Sequence, residues 1–132
     1  MSIWGVRVSM KLVAVAVIAV IAGALVPVAM KSPSREVTLV VRDMAFYLEG
    51  DPNTPNPTIE VKAGEHVRIV LRNEDRGFTH DFSVPRLNTA LDAVDWNESD
   101  DVVIDVPDTP GTYEYVCRPH ALMMRGTLRV TQ

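Results

Sequence analysis

The segment Tyr113–Gly126, "YEYVCRPHALMMRG", concentrates the softest side chains of this 132-residue chain near its C-terminus. It contains the single cysteine, one of three histidines and two of six methionines. These side chains either pack together in a core or bind a metal ion. The pattern of the predicted strands around the segment helps to decide between core packing and a metal site.

Short runs rich in β-branched and aromatic residues follow one another from residue 36 onward, separated by Gly, Pro, Asn and Asp. The runs are residues 36–48, 58–73, 79–85, 101–107, 112–117 and 126–132. The second run contains two strands around the turn Ala63-Gly64, and the first is a strand with a bend. Seven or eight short strands at this spacing predict an all-β fold, an antiparallel Greek-key β-sandwich. The intervening residues 87–99 are less regular and could include a helical turn.

Alternation along a strand predicts which side chains point into such a sandwich. His80 has the parity of the apolar residues in run 79–85, and Cys117 has that of the tyrosines in run 112–117. Met124 has the parity of the aliphatic residues in the last run, whereas Met123 has the opposite parity. Three soft or borderline metal ligands from three strands should therefore point inward near one end of the sandwich.

The loop residue His120 completes this set, three positions after Cys117. Two imidazoles and a thiolate in a plane, with a long thioether bond, hold copper in a geometry that suits both Cu(I) and Cu(II). Four protein ligands leave no open position for a substrate. The set therefore favours electron transfer over catalysis, and we expect a carrier that is not an enzyme.

Two segments resemble the cupredoxins, the small blue copper proteins. "GTYEYVCRPHALMMRGTLRV" (111–130) is similar to their C-terminal copper loop, and "TIEVKAGEHVRIVLRNEDRGFTHDFSVP" (58–85) to the segment that leads to their first copper-binding histidine. The resemblance implies one type 1 copper ion in a cupredoxin-like domain. The implied copper ligands are His80, Cys117, His120 and Met124. It also implies redox protein partners, such as a cytochrome or a membrane respiratory complex.

Two positions depart from the family pattern. Asp81 stands where many cupredoxins have Asn, and Arg118 stands where a small hydroxyl residue is common. The spacing from His120 to Met124 is one residue shorter than in plastocyanin and one longer than in amicyanin. Such differences alter the hydrogen bonds around the ligands and the reduction potential rather than the kind of site.

Several other readings of the cysteine are weaker. A lone cysteine is often a small buried hydrophobe, a thiol nucleophile needs an electropositive and partly exposed setting, and structural zinc prefers more Cys or His and no thioether. Multicopper oxidases need further histidines, and His66, on the polar face of its strand, is predicted to lie on the surface. A copper delivery or storage module is the alternative from a different functional class.

The N-terminal residues 12–30 are nineteen apolar or small residues without a charge. As a helix at about 1.5 Å per residue they would reach about 28 Å, close to the roughly 30 Å of a bilayer core. Residues 1–35 are therefore predicted to be a transmembrane anchor or signal segment with a short linker, and residues 36–132 the copper domain. A signal peptide cleaved after Ala24 is the competing reading. Either way the copper domain is expected outside the cytoplasm, at the periplasmic or extracellular face or secreted.

The charge of the predicted domain indicates which partners it favours. Residues 36–132 hold nine basic and 17 acidic residues, a formal charge of 9 − 17 = −8. This charge argues against nucleic acid and allows basic proteins. Eight acidic residues and no basic one lie between Arg86 and Arg118. They form either a solvated face or a docking surface for a basic redox partner.

The apolar N-terminal segment allows one further interpretation. It would equally suit a fixed accessory subunit of a membrane complex.

Overall fold

Short alternating strands form two facing β-sheets in the computed structural model, which describes Pro27 and residues 31–132. In chain order the described strands are β1 (Arg35–Arg42), β2 (Ala45–Leu48), β3 (Ile59–Lys62), β4 (His66–Asn73), β5 (Ser83–Val84), β6 (Thr89–Ala90), β7 (Ser99–Asp105), β8 (Gly111–Val116) and β9 (Arg125–Thr131). One sheet has the order β2-β1-β4-β7 and the other β3-β9-β8-β5-β6. Two short 3₁₀ helices, Pro85–Leu87 and Arg118–His120, interrupt the strands. The predicted all-β sandwich is confirmed.

The antiparallel pairing predicted for the sandwich holds for most strand pairs but not for all, because both sheets are mixed. β1 pairs with β4 in parallel, and β3 pairs with β9 in parallel, while the remaining strand pairs are antiparallel. Parallel neighbours need a crossover connection, and between β1 and β4 the chain passes through β3 in the other sheet. The two strands predicted around Ala63-Gly64 therefore exist, but they lie in different sheets.

The predicted bend in the first run is a tight hairpin turn between β1 and β2. Asp43 and Met44 form it with φ angles of 49° and 59°, and Arg42 pairs with Ala45 across it. Positive φ at both central residues matches the twist of two-residue hairpins but is unfavourable for residues other than glycine. The backbone N–H groups of both turn residues donate to the carboxylate of Asp75.

The core lies between the sheets and is continuous with the end that carries the predicted ligands. Phe46, Phe82 and Tyr115 form an aromatic cluster with ring centroids 5.4–6.2 Å apart. The Tyr115 hydroxyl donates a 2.6 Å hydrogen bond to the Pro57 carbonyl oxygen, and burial raises the pKa of Tyr115. Phe82 and Tyr115 each lie two residues from a predicted ligand, so this cluster anchors both ligand-bearing segments next to β5 and β8.

Gly126→Ala is expected to destabilise the fold, because a Cβ at this position would lie 2.3–2.6 Å from ring atoms of Tyr115. The ring is fully buried and cannot move away without breaking its bond to Pro57. Overpacking of this kind costs about 1–3 kcal/mol of unfolding free energy, measurable by urea denaturation. Gly111→Ala is the matched control on the neighbouring strand, since a Cβ there meets nothing within 4 Å. Equal stability of the two variants would contradict this packing.

The predicted membrane segment cannot be compared with the structure. Residues 12–30 lie outside the described part of the chain apart from Pro27. No helix among the described residues is long and apolar enough to cross a membrane. The domain boundary after residue 35 and the location of the copper domain stay predictions.

Candidate metal centre

Three of the four predicted ligands meet at one end of the sandwich. The Sγ atom of Cys117 lies 3.7 Å from Nδ1 of His80 and 3.6 Å from Nδ1 of His120. The three ligand atoms all lie within 4.8 Å of one another. Among the described residues this is the only group of three His, Cys, Asp or Glu side chains with such spacing.

The spacing of these atoms suits a first-row transition metal. Metal bonds of about 2.0–2.1 Å to nitrogen and about 2.3 Å to sulfur, meeting at about 110–120°, place S and N about 3.6–3.8 Å apart. The sulfur–nitrogen distances in the cluster are 3.6 and 3.7 Å. One thiolate and two imidazoles beside a methionine form the donor set of copper electron-transfer sites. The distances from the thiol sulfur to the two imidazole nitrogens therefore fit a copper ion.

His80 is held by its backbone as well as by its ring. It forms an isolated antiparallel bridge with Val94, donating its N–H to the Val94 oxygen at 3.1 Å and accepting at 2.7 Å. Its side chain is fully buried, and its Nε2 lies 3.0 Å from a carboxylate oxygen of Asp75. Both ends of the residue are thus fixed, with Nδ1 turned toward the sulfur of Cys117.

The C-terminal ligand loop is closed by its own backbone. Cys117 directly follows β8, and the 3₁₀ turn that begins after it carries His120 back toward the sulfur. The Cys117 N–H donates to the Met124 oxygen at 3.0 Å, and the Met124 N–H donates to the His120 oxygen at 2.9 Å. Met124 is fully buried, whereas Met123 is 56% exposed. The predicted parity of the two methionines is confirmed; their roles toward a metal stay a prediction.

The two departures from the family pattern form one interaction. Asp81 accepts the Arg118 N–H at 2.7 Å through one carboxylate oxygen and the Arg118 Nε at 2.6 Å through the other. The Asp81 N–H points at the Cys117 sulfur, 3.5 Å away. The carboxylate of Asp81 is almost completely buried, so the guanidinium of Arg118 balances its charge. This pair ties the two ligand-bearing segments together.

Burial determines the protonation of the ligands in the metal-free chain. It lowers the pKa of His80, since a buried imidazolium loses hydration. It also raises the pKa of the Cys117 thiol, because a buried thiolate loses hydration in the same way. At neutral pH the free centre therefore carries a neutral His80 imidazole and a neutral thiol. A bound metal ion must displace the thiol proton.

Two features of the centre escaped sequence reasoning. Asp75, five residues before His80, contacts the ring of that ligand, yet no spacing rule connects the two positions. Phe78 is 51% exposed, and its ring centroid lies 6.1 Å from that of His120.

His66 lies outside the cluster, as expected. Its side chain is only 24% exposed, and its Nδ1 lies 2.5 Å from a carboxylate oxygen of Asp105.

The exposed edge of the centre is apolar. His120 is partly exposed, and with Pro119, Ala121, Leu122 and Met123 it lines a shallow cleft. Leu122 is 94% exposed, an unusual state for a leucine next to another exposed apolar side chain. Through this edge the centre can be approached from solvent, while His80 and Cys117 lie behind it.

Comparisons with known proteins agree with this architecture. A family model described as a cupredoxin-like domain matches residues 11–130. Auracyanin B is similar at 22% identity and a TM-score of 0.61, over 79% of this chain and 94% of that chain.

Two further solved structures are also similar. Rusticyanin from Thiobacillus ferrooxidans has 22% identity and a TM-score of 0.58, over 76% of this chain and 79% of its own. Reduced auracyanin from the photosynthetic bacterium Roseiflexus castenholzii has 13% identity and a TM-score of 0.60, over 76% and 100%. No curated protein sequence matches. Identities this low show the fold alone, but the family model spans most of the chain, and the chain therefore belongs to the cupredoxin-like family.

Proposed function

We propose that this protein carries single electrons between redox proteins through one type 1 copper ion bound by His80, Cys117 and His120, with Met124 as the weak axial ligand. Cupredoxins bind one type 1 copper ion and are electron carriers. The observation that carries the proposal is the convergence of one thiol and two imidazoles, with S–N distances of 3.6 and 3.7 Å. The buried Met124 is joined to Cys117 and His120 by backbone hydrogen bonds. Copper bound there would store one electron by changing between Cu(II) and Cu(I).

The chain's own residues hold the ligands ready before any metal arrives. His80 is fixed by Val94 and Asp75, and Cys117 is fixed by backbone bonds to the loop. Both side chains are fully buried. Ligands held this rigidly need little movement between two oxidation states, which favours rapid electron transfer.

The partly exposed His120 provides the route for electrons to a partner. Its surroundings, Leu122 and Met123, are exposed and apolar. An apolar surface of this kind loses water readily when a partner docks. The partner's redox group could then approach the His120 ring closely, while the buried ligands stay shielded.

The partner is expected to be basic. Of the eight acidic residues between Arg86 and Arg118, three pair within the molecule: Asp101 with Arg68, Asp105 with His66 and Glu114 with Arg125. Others, including Asp92, Asp95 and Asp100, are exposed. An acidic surface speeds the encounter with a basic redox protein more than it strengthens the final complex.

The apolar residues 12–30 support a location at a membrane. A tether would keep the copper domain at high effective concentration near membrane-bound redox complexes. We place the domain outside the cytoplasm, at the periplasmic or extracellular face, and a fixed accessory subunit of such a complex would have the same sequence features. Salt-resistant, detergent-sensitive membrane association tests the tether, and mass spectrometry of the mature N-terminus distinguishes it from a cleaved signal.

A copper delivery or storage module is the second candidate. Such a protein must release its ion, so its ligands are usually exposed and mobile. The full burial of His80, Cys117 and Met124 favours a permanently held ion instead.

Copper titration tests the proposed function directly. One equivalent of Cu(II) should give an intense visible thiolate-to-copper band and a reversible one-electron couple.

The affinity for copper should depend on pH. Because binding displaces the proton of Cys117, whose pKa is raised, the affinity for copper should rise about tenfold per pH unit up to that pKa. It should fall more steeply in acid, where the histidines also bind protons. His66→Ala is the control and should leave the pH profile unchanged. A pH-independent affinity, or no intense band, would contradict the proposal.

A further inference from the structure

The carboxylate of Asp75 connects a strained turn to a predicted copper ligand. One oxygen accepts the backbone N–H of Asp43 at 2.5 Å, and the other accepts that of Met44 at 2.9 Å. The second oxygen also lies 3.0 Å from Nε2 of His80. Asp75 is only 9% exposed. The two backbone N–H groups directed at this carboxylate help offset the cost of burying its charge.

These contacts determine which nitrogen of His80 carries the proton. An ionised carboxylate only accepts hydrogen bonds, so Nε2 of His80 must be the donor toward Asp75. In a neutral imidazole the proton on Nε2 leaves Nδ1 with a free lone pair. Nδ1 is the atom 3.7 Å from the Cys117 sulfur. The tautomer required for metal binding is therefore the one that Asp75 selects.

The surrounding structure holds Asp75 in place. Its own N–H donates to Oδ1 of Asn73 at 2.8 Å. The Asn73 amide donates in turn to the oxygens of Phe78 and Val94, at 2.8 and 2.9 Å. Val94 is the residue that bridges the backbone of His80. The ring and the backbone of this ligand are thus anchored to a single buried network.

The turn supplies a second anchor. Asp43 and Met44 both have positive φ, a conformation that costs energy in residues with a Cβ and persists only where the surroundings enforce it. Two successive N–H groups of this turn converge on the Asp75 carboxylate. The carboxylate therefore cannot rotate away from His80 without releasing both of them.

We propose that Asp75 is a positioning residue of the metal centre: it keeps the His80 proton on Nε2, aims Nδ1 at the copper site and favours the Cu(II) state over Cu(I). The inference rests on the proposed copper site. A negative charge bonded to an imidazole ligand makes that ligand a stronger donor. A stronger donor stabilises the more highly charged ion.

Nuclear magnetic resonance of the metal-free protein tests the tautomer without copper. With both ring nitrogens labelled with ¹⁵N, at a pH well above the usual histidine pKa, the His80 ring should show the Nε2–H tautomer almost exclusively. Asp75→Asn should reduce that preference, since a carboxamide can also donate to Nε2. A wild-type His80 ring protonated on Nδ1 would overturn the proposal. The wild-type measurement needs no variant and remains decisive if Asp75→Asn does not fold.

Voltammetry of the copper-loaded protein tests whether the negative charge of Asp75 favours Cu(II) over Cu(I). Asp75→Asn should lower the ratio of Cu(II) to Cu(I) affinity at least about tenfold, a rise of about 59 mV in reduction potential. Glu74→Gln is the matched control, since it removes the same charge one residue away. Glu74 is 43% exposed in its side chain and pairs with Arg42 and Arg72 rather than with His80. Equal shifts in the two variants, or none in Asp75→Asn, would overturn the proposal.

These experiments distinguish a failure of the proposed copper function from a failure of the proposed role of Asp75. Failure of the wild-type protein to bind copper with an intense band would refute the proposed function, while the tautomer of the metal-free protein would still decide the role of Asp75. A normal copper site with an unaffected potential in Asp75→Asn would refute the positioning role alone.

Discussion

Replacing Cys117 by serine is expected to abolish the intense visible band and the reversible one-electron couple of the copper-loaded protein. The thiolate is the only soft anionic donor of the cluster, and a serine hydroxyl stays protonated at neutral pH and forms no comparable bond to copper. The fold should survive, because the side chain is small and the aromatic cluster that anchors its strand is untouched. Visible absorption, voltammetry and circular dichroism together measure this.

Two results for Cys117→Ser would contradict this prediction. Cys117→Ser that keeps an intense band would mean that another residue supplies the colour, although Cys117 is the only cysteine of the chain. Loss of the β-sheet signal in circular dichroism would instead indicate a structural role for the thiol. Cys117→Ala is the matched variant, since it removes the sulfur without adding a hydroxyl to the buried site.

Met124→Leu is expected to keep the copper–thiolate band but change its shape and raise the reduction potential. Removing a weak donor destabilises Cu(II) more than Cu(I), which is why the axial ligand tunes the potential of such sites. Met124 is fully buried and bonded through its backbone to the loop that carries His120. Leucine has a similar volume, so the cost in unfolding free energy should stay below about 1.5 kcal/mol.

The neighbouring methionine provides the matched control. Met123 is 56% exposed and lies in the apolar cleft around His120. Met123→Leu should leave the spectrum and the potential nearly unchanged and at most slow electron transfer to a partner. A shift from Met123→Leu with Met124→Leu silent would show that the ligand loop is displaced by one residue.

The sequence alone was sufficient to predict the sandwich and the clustering of the candidate ligands. The alternation that predicted Cys117 and Met124 to point inward is a local property of the strands β8 and β9. Cys117 directly follows β8, Met124 directly precedes β9, and both residues are fully buried. The Cys-x-x-His spacing is likewise local, because a single 3₁₀ turn brings His120 back to the sulfur. Where only one face of a strand packs against the core, the apolar residues at alternate positions identify that buried face.

Alternation failed where both faces of a segment are covered. Asp81 and Ser83 have the outward parity between His80, Phe82 and Val84, yet both are buried. Asp81 is covered by Arg118, which lies 37 positions further along the chain. No local pattern distinguishes a polar residue that faces solvent from one that faces an ion-pair partner.

Only the tertiary structure decided how the strands pair and what supports the ligands. Parallel and antiparallel neighbours show the same alternation, so the pairs β1–β4 and β3–β9 left no trace in the sequence. The turn at Asp43 and Met44 meets Asp75 only because β1 and β4 lie side by side. Contacts between segments about thirty positions apart depend on the whole chain being folded. The candidate ligands are therefore visible in the residues themselves, whereas their orientation is set by the fold.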